Sequence, residues 1–241
     1  AGTYSWSIPN DLSKTVKVRV SNTLDSTVNS VSSTNFKIVG IINLTQPTSI
    51  SRWEVGLSQV VSWNVIGSIS DVRIDFSKDG GTSWTNIVAQ VSASAGTYSW
   101  TPLADSVSLN AKVKITDYSD SDVYAVSDVF HVKARFGVTS PAEGNVWPVQ
   151  SSQTILWTTA GNVSTVKVEY TKNGTEWNVI SASTSNSGSL PWVIPDAISS
   201  ICSVRVSDYN DAEAVGVSGT FKIRGSITLT QPTAAGISWI V

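Results

Sequence analysis

Apolar and polar residues alternate along much of this chain with a period of two. The pattern is plain in Val16-Lys17-Val18-Arg19-Val20, in Asp71-Val72-Arg73-Ile74-Asp75-Phe76 and in Phe130-His131-Val132-Lys133. Such alternation marks half-buried strands, and no stretch of convincing length repeats with the helical period. The pattern predicts strands at Thr3 to Pro9, Val16 to Val20 and Asn35 to Val39 near the start. It then predicts Ile41 to Gln46, stopped by Pro47, followed by Val60 to Val65, Asp71 to Phe76, Gly96 to Trp100, Ala111 to Thr116 and Val129 to Val132. A second series centres on Val138, Ile155 to Trp157, Val166 to Tyr170, Trp177 to Ile180, Leu190 to Ile194, Ser203 to Val206 and Phe221 to Ile223. Between strands, Asp79-Gly80 and Asn173-Gly174 supply the positive φ angles of tight hairpin turns. Trp53 with Gly56 reads as a further turn, which makes Trp53 and its counterpart Trp147 the tryptophans expected to be partly exposed.

The two series are copies of one another. Ala1 to Trp6, AGTYSW, returns letter for letter at Ala95 to Trp100 and in worn form as SGSLPW ending at Trp192. Pro47, Pro141 and Pro232 keep step, as do Trp63 and Trp157, Trp84 and Trp177, and Phe36, Phe130 and Phe221. A period of roughly 90 residues is too long for a solenoid unit and suits a small domain. Short alternating strands with frequent turns in a unit of that size predict an all-β fold of tandem immunoglobulin-like β-sandwich domains. The copies divide the chain into residues 1–39, the late strands of a partial repeat; 40–133 and 134–224, two complete repeats; and 225–241, the early strands of another. Almost no linker separates them, so the joints should be stiff. The broken ends suggest a window on a longer repeat protein, with strand exchange between copies the less favoured explanation.

Composition narrows the partners. Charged residues are 14% of the chain and the net charge is −2, which excludes an electrostatic footprint for nucleic acid or an anionic membrane. Cys202 is the one cysteine, so no disulfide can form within the chain. No apolar run approaches the length of a membrane span, and no leader peptide is visible. Ser and Thr dominate the polar remainder, as suits exposed faces of strands.

The second copy reads TSPAEGNVWPVQSSQTILWTTAGNVSTVKVEYTKNGTEWNVI, followed by GSLPWVIPD, SVRVSD and FKI. This resembles the Ig-like repeats of bacterial cell-surface and S-layer-type proteins, and it is similar to the fungal Kre9/KNH-like Ig domain. The resemblance implies a non-enzymatic extracellular structural protein, a repeat segment of a surface layer, fibre or stalk. Its partners would be other copies of itself or neighbouring repeats of the same chain. The alternative it leaves open is an adhesin or carbohydrate-binding array, with glycans as partners.

Few residues invite chemistry. Asp117, Asp120 and Asp122 recur as Asp208, Asp211 and Glu213, and oxygen ligands so close could hold calcium, the single cofactor candidate. A solvated loop is the favoured reading, because the Asp-x-Asp-x-Asp-Gly pattern is missing and the loop at Asn22 and Asp25 is poorly acidic. Ser77-x-Asp79-x-Gly81-x-x-Trp84 resembles the Asp-box of sialidase blades, where it is a folded turn away from the catalytic centre. Asn43, Asn162 and Asn173 open glycosylation sequons. His131, the sole histidine, reads as a surface residue, and no catalytic Ser/His/Asp set or zinc set recurs between copies. Cys202 shares the parity of Val204 and Val206 and reads as small, buried and inert.

Overall fold

The computed structural model describes residues 2–229. The expected early strands around Pro232 and Trp239 lie outside them. The chain forms two compact units, one ending at Val132 and the other beginning at Lys133.

The first unit opens with four short strands: β1 (Ser13–Val16), β2 (Arg19–Ser21), β3 (Asn29–Val31) and β4 (Phe36–Ile38). β1 pairs β4 and β2 pairs β3, both antiparallel. Nine strands follow: β5 (Ile41–Gln46), β6 (Arg52–Glu54), β7 (Gln59–Ile66), β8 (Asp71–Ser77), β9 (Thr85–Ser92), β10 (Thr97–Trp100), β11 (Ser108–Asp117), β12 (Tyr124–Val126) and β13 (Phe130–Lys133). One sheet has the order β10-β7-β5, the other β6-β13-β11-β8-β9 with β12 also on β11. The second unit repeats this with β14 (Arg135–Ser140), β15 (Val146–Pro148), β16 (Ser152–Ala160), β17 (Thr165–Thr171), β18 (Asn178–Ser185), β19 (Ser189–Val193), β20 (Ser199–Asp208), β21 (Val215–Val217) and β22 (Phe221–Arg224). Its sheets run β14-β16-β19 and β15-β22-β20-β17-β18, with β21 on β20. These are tandem Ig-like β-sandwiches.

Alternation fills each core. Val72, Ile74 and Phe76 of β8 are buried with Val113 and Ile115 of β11, and Val166 and Val168 of β17 with Val204 and Val206 of β20. Trp63 and Trp157 are each 4% exposed at the centre of their sheets. Trp100 lies 4.8 Å from Phe76 and 5.9 Å from Trp53, centroid to centroid, so aromatic rings join the two sheets. Trp192 does the same against Tyr170 and Trp147 at 5.0 and 6.1 Å. Each large side chain removed from water contributes about 1.5–3 kcal/mol.

Three sequence expectations change. Trp53 and Trp147 are buried, at 6% exposure each. Each sits on a three-residue strand, β6 or β15, and packs on the Phe of the closing strand, at 4.6 Å from Phe130 and 5.0 Å from Phe221. A strand so short shows no alternation, so it reads as a turn. Residues 3–9 carry no strand, although the identical hexapeptide at 95–100 does. There, Thr97–Trp100 pairs with β7, from Ser62 back to Gln59; no equivalent of β7 faces residues 3–6 among the described residues. Val16 to Val20 is broken between β1 and β2.

A serine contact at the break recurs in both sandwiches, where the facing strands β11 and β20 stay continuous. The Ser32 hydroxyl accepts the Val18 N–H at 3.3 Å while Ser32 N–H donates to the Val18 carbonyl at 2.9 Å. Ser127 does this to Val113 and Ser218 to Val204, so a serine inserts into the ladder and splits each closing strand in two.

Candidate functional site

The two acidic loops fold identically. Asp117 accepts the Ser119 N–H at 2.8 Å, and Asp120 accepts the Asp122 N–H at 3.3 Å. In the second unit Asp208 accepts from Asn210 N–H at 2.9 Å and Asp211 from Glu213 N–H at 3.0 Å. The loop at Asn22 and Asp25 makes the same pair of contacts, to Leu24 and Thr27 N–H. Side-chain oxygens here close turns on their own backbone, which explains why Asn serves as well as Asp. Asp117, Asp120, Asp208 and Asp211 are buried, whereas Asp122 and Glu213 are exposed. Among the described residues no group of three or more acidic, His or Cys side chains is arranged to hold a metal ion.

What faces these loops differs. Lys37 of β4 reaches Asp120 at 3.3 Å and Asp122, and Lys14 of β1 lies 3.7 Å from Asp120. Lys14 also donates to the Ser119 carbonyl. Burial pushes the Asp120 carboxyl up, but the Asp122 amide and the two lysines outweigh it, and its pKa falls below the usual value. The Asp122 contact raises that of Lys37. Asp208 goes the other way: burial raises it, and Asp211 beside it adds to the rise. Between β4 and β5 only Val39 and Gly40 intervene. A Cβ on Gly40 would fall 2.7 Å from Ile69 and 2.8 Å from the Ile66 carbonyl, so only glycine fits this joint.

The Asp-box-like segment is a capped hairpin. Ser77 Oγ donates to Asp79 at 2.7 Å and accepts Gly81 N–H at 2.8 Å, while Asp79 accepts Ser83 N–H at 2.8 Å. The Ser83 and Ser77 hydrogen bonds hold the Asp79 carboxyl far below the usual carboxylate range. Thr171 and Asn173 build the second copy, with Gly174 and Glu176 N–H as donors.

Beside each hairpin the outer sheet face carries a cation on an aromatic ring above a buried carboxylate. Lys114 Nζ stands 4.4 Å from the Trp84 ring, and the Arg205 guanidinium 4.3 Å from that of Trp177. Asp75, buried on the face that alternation assigns to charge, is held by Arg73 at 2.8 Å and by Asn86 at 3.1 Å. Glu169 is held by Lys167 and Arg205, both at 2.7 Å; burial works to raise its pKa, and these cations lower it. In the first sandwich this face opens into a cleft of about 660 Å³ lined by Trp84, Lys114, Asp117, Tyr118 and Tyr124, among others. Sequence reasoning missed it, although Tyr118 and Tyr124 flank the acidic loop it had singled out.

Of the remaining candidates, Asn43 and Asn162 are exposed, on β5 and in a loop. Asn43 donates to the Asn64 side chain at 2.9 Å. The Asn173 amide donates to Glu176 at 3.1 Å while its oxygen caps the turn. His131 is half-buried, and its backbone N–H donates to the Ser51 carbonyl. Cys202 is fully buried, and burial pushes its thiol pKa up.

Fold and comparisons together define the class as tandem Ig-like β-sandwiches. No family model matches the chain, and no curated protein matches its sequence, so the surface-layer and Kre9/KNH resemblances have no independent sequence support. Among solved structures, it is similar in fold to the fibronectin(III)-like modules of Clostridium thermocellum CbhA, at 18% identity over 77% of this chain and 95% of theirs, with a TM-score of 0.27. The N-terminal four Ig domains of Dscam1 isoform 8.4 match at 13% identity over 81% of this chain and 51% of theirs, TM-score 0.36. A chimeric titin Z1Z2-Z1Z2 tandem matches at 19% identity over 77% of this chain and 100% of its own, TM-score 0.27. The chain spans about half the length of the Dscam1 structure it matches. No helix among the described residues is long and apolar enough to cross a membrane.

Proposed function

We infer that this chain is a segment of a non-enzymatic extracellular structural protein, a surface layer, fibre or stalk built from stiffly joined Ig-like repeats. Under this reading residues 1–39, 40–133, 134–224 and 225–241 are successive repeats or parts of them, and each repeat is the principal partner of the next. The observation that carries the reading is the joint within the first unit. Two residues connect β4 to β5, Gly40 admits no side chain, and Lys37 and Lys14 reach the Asp120 carboxylate. A swivelling linker needs exposed, flexible chain, and this joint has almost none.

The test of the main reading is electron microscopy of native cell-surface material labelled with an antibody to this chain. Label decorating ordered filaments or a lattice supports it. Label confined to intracellular fractions, or to scattered single molecules, overturns it.

A further inference from the structure

We propose that the cleft on the outer face of the first sandwich binds a short neutral oligosaccharide. Three rings, Trp84, Tyr118 and Tyr124, line one concavity of about 660 Å³ together with Val126 and several polar side chains. Tyr118 and Tyr124 are more than half exposed, at 56% and 58%, where an isolated fold gains nothing from large apolar surface. Lys114 already occupies one side of Trp84, which leaves the tyrosines as platform and the tryptophan as wall.

The polar groups fit hydroxyls. Asp117 is only 7% exposed, yet it lines the cleft. One of its oxygens takes the Ser119 N–H at 2.8 Å, which leaves the carboxylate spare acceptor capacity toward the cleft it lines. A carboxylate oxygen open to the cleft accepts hydrogen bonds from hydroxyl donors supplied by water or a ligand. Sugar hydroxyls are such donors, and the C–H faces of a pyranose ring stack on aromatic side chains. Charge decides against ions: Arg73 and Lys114 balance Asp75 and Asp117, so the cleft has no net charge with which to select an anion or a cation. Its volume lies within the usual range of ligand sites, roughly 300–1,000 Å³.

The second sandwich is an internal control. Val215 occupies the place of Tyr124 and Ala212 that of Ser121, so one ring and one hydroxyl are lost. Arg205 there lies over Trp177 and holds Glu169, which ties the equivalent face to itself.

The whole chain is titrated, by calorimetry and tryptophan fluorescence, with neutral β-1,3-glucan, β-1,4-glucan, mannan and N-acetylglucosamine oligomers, and with an acidic oligogalacturonate. Saturable binding to a neutral oligomer is expected. Tyr124→Val and Tyr118→Ala should each weaken it about tenfold, the loss of one stacked ring, without moving the melting temperature. Tyr209→Ala in the second sandwich should leave it unchanged. No saturable binding to any neutral oligomer, binding of the acidic oligomer alone, or binding indifferent to both cleft variants overturns the proposal. The structural role stands or falls separately, because microscopy of labelled surfaces does not depend on the cleft.

Discussion

The acidic loops of the two sandwiches are the same backbone set among different charges. Asp117 and Asp120, like Asp208 and Asp211, cap amides two residues ahead. The Asp120 carboxyl is nonetheless held below its ordinary pKa by the Asp122 amide and lysines, while that of Asp208 is lifted by burial and by Asp211. Turn geometry is therefore written in the loop, whereas the charge state of Asp120 also depends on the lysines that pack against it. The two halves of the chain are close to a controlled experiment on one scaffold.

The largest effect should come from removing the central tryptophans. Trp63→Ala and Trp157→Ala should each cost about 3–5 kcal/mol, measured by denaturant unfolding of the whole chain. A well-folded Trp157→Ala variant melting within a degree of the parent would falsify its central placement. The indole partners separate the copies: Trp63 donates to the Ala93 carbonyl at 3.0 Å, whereas Trp157 donates to the Asn186 side chain at 2.7 Å. Asn186→Ala should thus cost about 1–3 kcal/mol, because it leaves a buried N–H unpaired, and no substitution in the first sandwich can reproduce this. An unchanged unfolding midpoint for Asn186→Ala would remove that distinction.

Next come the inserted serines. Ser127→Ala and Ser218→Ala each orphan a buried backbone N–H, of Val113 or Val204, and should lose about 1–3 kcal/mol apiece. Equal losses sustain the equivalence of the split strands; a neutral result in one copy breaks it.

Smallest, and opposite in sign, are the charge effects. Asp120 has a lowered folded pKa, so its contribution is present above the unfolded value and fades as pH falls below about 4. Asp208 has a raised folded pKa, so its contribution is fully present below the unfolded value and is lost as pH rises through the folded one. Asp208→Asn, which keeps the turn acceptor, should therefore stabilise at neutral pH, while Asp120→Asn should destabilise slightly and less so in high salt. Urea midpoints compared at acid and neutral pH check both; matching pH profiles for the two variants would contradict the assignment.

Most long strands were legible in the sequence, because Val72, Ile74 and Phe76 or Val166 and Val168 alternate over a window wide enough to read. What alternation cannot show is a strand made by its partner. The same AGTYSW is a strand at Thr97–Trp100, where β7 supplies the ladder, and not at residues 3–6. Trp53 and Trp147 were misplaced for a related reason, since a three-residue strand is defined by the closing strand beside it. Asp75 and Glu169 show a third limit: they sit on the polar face, and it is Arg73, Asn86, Lys167 and Arg205 that bury them. The cleft was hidden likewise, because Trp84, just before β9, and Tyr118, just after β11, are brought together only by folding.

The short strand β15 has a mechanical meaning. It runs parallel to β22, pairing Val146, Trp147 and Pro148 with Lys222, Ile223 and Arg224. Tension along the chain pulls β15 towards its start and β22 towards its end, so the two must slide past one another in shear. Their hydrogen bonds are then loaded together, whereas strands peeled from one end would yield one bond at a time. Stretching single molecules should give a tall, narrow rupture for this sandwich; a low plateau would mean that it peels.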